Sequence, residues 1–228
     1  MGVIKSQGIK QSLVVYTGVI FGAISWLFIY PQLEPSQLGL IKFIEGTALL
    51  VTPFVFLGGN SLSVRFFPRF KNQATGHNGF LAFLLLLLVV GLVLFVLLSY
   101  LFRTEILTYY ANQSDDFRTY LEYLPYIIPI VIFMALASLL TQYTMNFKRI
   151  VIPALFNDLL PKIWIPGSIL LFLAGAIGFA RVIDSLIVLY AIVFIGMLVY
   201  VSTLGQLFVR PRFKFIKKPL LKEMGIYA

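Results

Sequence analysis

Long apolar runs, rather than an alternation of apolar and polar positions, dominate this chain. The clearest run is residues 80–102, FLAFLLLLLVVGLVLFVLLSYLF, which contains 23 residues and no charge. A helix of that length measures roughly 34 Å, which is enough to cross a bilayer core of about 30 Å. Six such segments are predicted to span a membrane: residues 12–30, 38–57, 80–102, 124–143, 151–179 and 185–209. We therefore expect an all-α membrane protein, folded as one bundle of six transmembrane helices.

The fifth segment is interrupted by Pro161 and Pro166, and two interpretations of it are open. In one, the helix enters the membrane near Val151 and crosses it with both prolines inside. In the other, residues 150–162 form a short interfacial helix and the crossing starts at Ile163. Proline is compatible with both, because it removes one helical hydrogen bond and kinks or ends the helix.

Basic residues are distributed unevenly between the two sides of the predicted bundle. With six spans, both ends of the chain share one side with the loops at 58–79 and 146–150. Thirteen of the 18 lysines and arginines fall on that side, and three fall in the opposite loops. Since cytoplasmic loops carry an excess of Lys and Arg, we expect cytoplasmic termini and a basic tail at 210–228 resting on anionic lipid. This topology explains the net charge of +9 without nucleic acid.

Two opposite charges, Lys42 and Glu45, lie inside the second predicted span, in IKFIEGTALL. A central Lys or Asp costs about 2.5–3.5 kcal/mol on insertion, so such a face should contact protein or water rather than lipid. A functional site and a structural pair that pins two helices both remain possible. Lys before Glu is the weaker order for a helical pair, which favours partners on other helices.

A second polar cluster lies in the fifth segment, in ALFNDLLPKIWIPG. Asp158 and Lys162 are four residues apart in the order that favours a helical ion pair. Pro161 and Pro166 cannot donate to the carbonyls of Asn157 and Lys162, so both carbonyls are expected to be free. Broken helices with free carbonyls at membrane depth form polar sites in transporters.

A close-packing face, Gly18-x-x-x-Gly22, is predicted on the first helix. The chain has no cysteine, and its single histidine, His77, is expected to be solvated in a cytoplasmic loop. Neither a zinc-binding histidine motif nor a P-loop is present. We therefore predict no metal, no cofactor and no enzymatic activity.

Four stretches resemble one family: MGVIKSQGIKQSLVVYTGVIFGAI, LGLIKFIEGTALLVTPFVFLGG, VRFFPRF followed by GHNGFL, and FKRIVIPALFNDLLPKI. In the same order, they are similar to the start of bacterial polysaccharide biosynthesis proteins. These are oligosaccharide flippases of the multidrug/oligosaccharidyl-lipid/polysaccharide exporter superfamily. The resemblance implies an N-terminal lobe of a two-lobed transporter with a central cavity open alternately to each side. The chain would then be a truncated or partial transporter.

The same resemblance implies a substrate, partners and residue roles. The substrate would be a lipid-linked oligosaccharide, a polyprenyl-diphosphate sugar used for lipopolysaccharide or other surface polysaccharide, in the bacterial inner membrane. Lys42 and Lys162 would bind the diphosphate, with Arg65 at the cytoplasmic mouth. The residues expected to pair with these cations or to couple transport to an ion are Glu45, Asp158 and Asn157. The partners would be membrane lipids and a second six-helix lobe or another polysaccharide-assembly protein.

Two other functions are compatible with the same sequence. One is a drug/cation antiporter of the same superfamily, in which Glu45 or Asp158 would bind the cation. The other is a non-transporting membrane scaffold within a polysaccharide assembly complex.

Overall fold

The computed structural model of this chain describes residues 3–105, 108, 117–211 and 223. Within those residues all regular structure is helical. The helices are α1 (Val3–Ile24), α2 (Pro35–Val55), α3 (Gly59–Phe70), α4 (Phe80–Leu101), α5 (Phe117–Met145), α6 (Val151–Ala154), α7 (Leu160–Leu173) and α8 (Phe179–Thr203). A π-helical turn, Ser25–Ile29, extends α1, and a second one, Leu155–Leu159, joins α6 to α7.

Among the residues that the structure describes, six helices are long and apolar enough to cross a membrane. They are Lys5–Gln32, Pro35–Val55, His77–Leu101, Glu122–Met145, Val151–Leu173 and Phe179–Thr203. The predicted all-α bundle of six transmembrane helices is thus confirmed, and the chain is a multi-pass membrane protein.

The last two helices end earlier than the apolar pattern predicted. The sixth begins at Phe179 and ends at Thr203, rather than covering 185–209. Its end is set by Gly205, which has a φ of +63° and whose N–H donates to the carbonyl of Ser202 over 2.9 Å. Glycine adopts this left-handed conformation without steric cost, so it terminates the helix inside an apolar stretch.

The fifth span, Val151–Leu173, is one continuous helical run rather than an interfacial helix followed by a separate crossing. Pro161 follows the π-helical turn Leu155–Leu159 and Pro166 lies inside α7, so the helical run continues through both prolines. Of the two interpretations, the structure therefore has the one in which the helix runs from Val151. It ends at Leu173, six residues before the predicted limit of 179.

Helix α5 lies at the centre of the bundle and packs most extensively against α8 and α2. Its residues Ile130 and Val131 are fully buried, as are Ile44 of α2 and Leu186 of α8, in a common apolar core. Helix α1 packs against the fifth span. Because α1 contacts only one side of the bundle, most of its apolar side chains remain exposed, as expected for a helix facing lipid.

The expectation that His77 is solvated is wrong, because only 2% of the residue is exposed. Its Nδ1 accepts a hydrogen bond from the backbone N–H of Asn72 (3.2 Å). Its Nε2 lies 2.7 Å from Oε1 of Gln206. An imidazole that accepts at Nδ1 and donates at Nε2 is neutral, so these contacts define the tautomer. His77 thus connects the loop before α4 to the segment after α8.

Helix α3 has one buried and one exposed face. Its buried face includes Phe66 and Phe70, whereas Arg65 and Arg69 are exposed. The predicted basic tail, 210–228, lies outside the described residues except for Arg210, Pro211 and Glu223.

Candidate functional site: a charged cavity inside the bundle

A cavity of about 600 Å³ lies between five of the six spans. Its walls come from the end of the first span, from α2, α5 and α8, and from the fifth span. Four charged side chains line it: Lys42, Glu45, Asp158 and Lys162. The two polar clusters predicted separately from the sequence therefore face one shared space.

The charged residues lie well inside their helices rather than at the ends. Glu45 is the eleventh of the 21 residues of α2. Lys162 is the twelfth of the 23 residues of the fifth span. At these positions a side chain facing lipid would be costly, so a polar cavity is the environment in which the charges are stable.

The first pair of charges is an ion pair within α2. Nζ of Lys42 lies 3.0 Å from Oε2 of Glu45. The hydroxyl of Tyr190 on α8 donates to Oε1 of Glu45 over 3.4 Å. The expectation that the order Lys–Glu would favour partners elsewhere is therefore wrong for Lys42, whose acidic partner is Glu45 itself.

Two aromatic rings from the end of the first span also surround Lys42. Its Nζ lies 4.9 Å from the ring centroid of Tyr30 and 5.9 Å from that of Trp26. These rings pack edge to face with centroids 5.2 Å apart. A cation over an aromatic face gains about 0.5–2 kcal/mol, so the rings add to the stabilisation of Lys42 by Glu45.

The other two charged residues, Asp158 and Lys162, do not form an ion pair. In the part of the chain that the structure describes, Asp158 and Lys162 make no hydrogen bond or ion pair through their side chains. The charged atoms of both side chains are therefore accessible rather than buried without a partner. The favourable spacing of these two residues predicted a helical pair, and the structure places both groups toward the cavity instead.

The aliphatic chain of Lys162 lies along the glycine face of α1. A Cβ added to Gly18 would be 3.4 Å from Cδ and 3.6 Å from Nζ of Lys162. A Cβ added to Gly22 would be 3.8 Å from the same Cδ. The face predicted for close helix packing therefore also holds this lysine side chain, which draws its ammonium toward α1.

Asn157 ties the fifth span to α5. Its Nδ2 donates to Oγ1 of Thr141 over 3.0 Å and to the carbonyl of Pro153 over 2.8 Å. These bonds use the amide N–H groups and leave the amide oxygen as an acceptor on the cavity wall.

Both π-helical turns border the cavity and both precede a proline. The N–H of Leu160 bonds to the carbonyl of Leu155, five residues back, just before Pro161. The N–H of Tyr30 bonds in the same way to Ser25, just before Pro31. A proline ring clashes with the carbonyl four residues back, and a wider turn moves that carbonyl away. The fifth span therefore accommodates Pro161 by a π turn rather than by a simple break.

Three of the predicted site residues, Gly18, Arg65 and Pro166, do not line the cavity. Arg65 is exposed on α3, between the second and third spans, and does not line this cavity. Pro166 is buried inside α7 and does not line it either. Gly22 and Pro161 do.

Sequence reasoning missed several polar and aromatic residues of the wall: Ser25, Trp26, Tyr30, Ser138, Thr141 and Tyr190. A partial signal exists for α5, where Ser138 and Thr141 are three residues apart in an otherwise apolar stretch and so share a helix face. The sequence gives a weaker signal for Tyr190, because a tyrosine in a predicted span is equally typical of the membrane–water interface.

Comparison of the chain with protein-family models, with curated proteins and with solved structures found no match for it.

Proposed function

We propose that this chain forms part of the path by which a lipid-linked oligosaccharide, a polyprenyl-diphosphate sugar, crosses the membrane for surface polysaccharide synthesis. The observation that carries the proposal is the shared cavity, in which charged residues from two different spans meet near the middle of the bundle. Its volume of about 600 Å³ is within the range of small-molecule binding sites.

The charges in the cavity suit a polar group that must cross an apolar layer. Lysine ammonium groups attract a diphosphate, and carboxylates and hydroxyls can exchange hydrogen bonds with sugar hydroxyls. In this proposal Lys162 and Lys42 provide the positive charge. Glu45 holds Lys42, and the unpaired Asp158 couples movement to an ion. Arg65, on the predicted cytoplasmic side, would contact the headgroup before it enters.

The first span supplies both a wall of the cavity and a surface for lipid. Gly22, Ser25 and Trp26 line the cavity, whereas Ile20 and Leu27 of the same span are 60% and 69% exposed. An amphiphile could therefore keep its headgroup in the cavity while its polyprenyl chain stays in the bilayer beside this helix.

The proposed location is the bacterial inner membrane, with both termini in the cytoplasm. The proposed protein partner is a second six-helix lobe or another polysaccharide-assembly protein. Such a partner would cover the half-exposed Lys42 and the exposed Asn157 of the cavity wall.

Binding by the purified chain in phosphatidylcholine nanodiscs tests the proposal. Farnesyl diphosphate is the soluble probe, and farnesyl monophosphate measures the contribution of the second phosphate. The double variant Lys42→Met/Lys162→Met should bind farnesyl diphosphate about tenfold more weakly or worse, because hydrogen bonds to charged groups are lost.

Lys5→Met/Lys71→Met is the matched control, since it removes two exposed lysines outside the cavity. Equal affinity of the two double variants for farnesyl diphosphate would reject the cavity as the site. Translocation itself is tested in vesicles that contain a fluorescent polyprenyl-diphosphate disaccharide, by the fraction of the probe that becomes accessible from outside.

The unpaired carboxylate of Asp158 favours one alternative, a drug/cation antiporter. That function predicts resistance to cationic drugs that is lost in Asp158→Asn, with no response to farnesyl diphosphate. A non-transporting scaffold predicts instead that cavity variants lose a protein partner in pull-down and move no substrate.

A further inference from the structure

We infer that Lys162, rather than Lys42, is the cavity cation that binds the anion, and that Gly18 and Gly22 are the residues that position it. The inference deepens the proposed function and rests on it for the identity of the anion. Its geometric part, the placement of Lys162 by the two glycines, is tested separately.

Lys42 has little positive charge left to offer a ligand. Its ammonium is paired with Glu45 at 3.0 Å and lies over the rings of Tyr30 and Trp26. An anion that approaches Lys42 also approaches the Glu45 carboxylate, and like charges at close range repel. Lys42 and Glu45 together are therefore close to neutral toward a phosphate.

Lys162 has no such partner. Among the described residues, none accepts a hydrogen bond from its ammonium, although the residue lines the cavity. The space beside it is created by the missing side chains of Gly18 and Gly22, against which its Cδ lies. Lys162 is only partly buried and its ammonium is accessible from the cavity, so a bound phosphate would supply the charged partner that the described residues do not.

The position of Lys162 depends on how much room α1 leaves. A methyl group on Gly18 would meet Cδ of Lys162 at 3.4 Å, an ordinary van der Waals distance. The two further carbons of a valine would extend past that distance and overlap the lysine chain or its Nζ. Gly18→Val should therefore displace the ammonium, whereas Gly18→Ala should leave it close to its place.

Four variants separate positioning from general damage to the fold, with farnesyl diphosphate in nanodiscs as the probe. Lys162→Met and Gly18→Val should each weaken binding about tenfold, the loss of a hydrogen bond to a charged group. Gly18→Ala should stay within about threefold of wild type, because its methyl group meets the lysine chain at an ordinary van der Waals distance. Gly167→Val is the matched control, because an added Cβ there meets nothing within 4 Å, and it should bind like wild type.

A double-mutant cycle gives the decisive comparison. In the Lys162→Met background, where no ammonium remains to be displaced, Gly18→Val should weaken binding by less than about twofold. Full additivity of the two changes would show that Gly18→Val acts by some route other than Lys162 and would overturn the inference. So would a larger loss of affinity in Lys42→Met/Glu45→Gln than in Lys162→Met.

Amine acylation measures the geometry without a ligand. A small N-hydroxysuccinimide ester followed by mass spectrometry reports the reactivity of Lys162 relative to the exposed Lys71. Gly18→Val should raise this ratio severalfold, since the amine leaves the glycine face, and Gly167→Val should not. An unchanged ratio in Gly18→Val contradicts the positioning role. If the ratio rises but no variant or wild type binds farnesyl diphosphate, the positioning stands and the proposed function fails.

Discussion

The ammonium of Lys42 lies 3.0 Å from Oε2 of Glu45, one turn along the same helix. This ion pair inside α2 explains how a membrane span can carry two opposite charges. Each charge neutralises the other, and Tyr190 and two aromatic rings complete their surroundings. The pair contributes a structural link between α2, α8 and the end of the first span.

Removing one member of this pair should cost more than removing both. Lys42→Met leaves the Glu45 carboxylate, which is 17% exposed, without its cation. We expect a loss of about 1–3 kcal/mol for that single change, because the remaining charge keeps only the hydrogen bond from Tyr190. The double variant Lys42→Met/Glu45→Gln should recover most of it. Thermal unfolding in detergent measures both, and a double variant no more stable than Lys42→Met would contradict the pair.

Gly91→Ala should disrupt the contact between α4 and the end of α2. A Cβ on Gly91 would collide with the backbone carbonyl oxygen of Val55, which cannot rotate away. We expect a loss of about 1–3 kcal/mol or more, the cost of overpacking against a rigid neighbour. Gly167→Ala, in open space, serves as the control. Equal unfolding temperatures for the two variants would show that the helices do not approach so closely.

His77→Ala should destabilise the end of the bundle that carries the loop before α4. It removes the partners of the Asn72 N–H and of Oε1 of Gln206. Both hydrogen bonds are partly buried, and the loss of each costs about 0.5–1.5 kcal/mol. The control Gln73→Ala changes an exposed side chain of the same loop. Faster hydrogen exchange at residues 72–79 and 204–208 in His77→Ala alone is the expected result, and equal exchange in both variants would contradict it.

The contact between Arg69 and Glu223 should respond to acid. Nη1 and Nη2 of Arg69 donate to the two carboxylate oxygens of Glu223 over 2.6 and 3.0 Å. The hydrogen bonds from Arg69 lower the pKa of Glu223 below its usual value. A lowered carboxyl pKa means that the contact is present above the ordinary Glu pKa and is lost as the pH falls through the lowered one.

Carbon NMR of a chain labelled at glutamate carboxyl groups measures this titration, with Glu223→Gln identifying the resonance. Arg69→Met should move the midpoint of Glu223 upward, toward the value of a free glutamate. Lys71→Met, which removes an exposed charge two residues along the chain from Arg69, should move it less. A midpoint unaffected by Arg69→Met would exclude the contact in solution.

The predicted orientation can be tested because the chain has no cysteine. Single cysteines are introduced at two exposed alanines, Ala74 before α4 and Ala176 before α8. If the termini are cytoplasmic, a membrane-impermeant maleimide should label Ala176→Cys in intact cells and label Ala74→Cys only after permeabilisation. The reverse pattern would place the termini outside.

The sequence was sufficient for the fold class, because a bilayer leaves few alternatives. Backbone groups in hydrocarbon must bond within the chain, so an apolar run of spanning length becomes a helix. Helix ends were less predictable. Gly205 terminates α8 inside an apolar stretch through its backbone conformation, which hydropathy does not register.

The candidate site was predictable as residues but not as an arrangement. The cost of charge in a membrane identified Lys42, Glu45, Asp158 and Lys162 from sequence alone. The sequence favoured an ion pair between Asp158 and Lys162, whereas the structure pairs Lys42 with Glu45. An ion pair between residues one helical turn apart contributes only about 0.2–0.5 kcal/mol. Contacts with neighbouring helices outweigh it. His77 was misjudged for a similar reason, because its burial depends on Gln206, far away in the chain.

By itself, the sequence determined that this chain is a six-helix membrane bundle and that four charges lie within the spans predicted from it. Length and apolarity are local properties, and they act on each helix separately. The tertiary structure alone decided that the four charges share one cavity, that Lys42 is neutralised and that Lys162 is not. These outcomes depend on which helix faces meet, and thus on the combined packing of five spans.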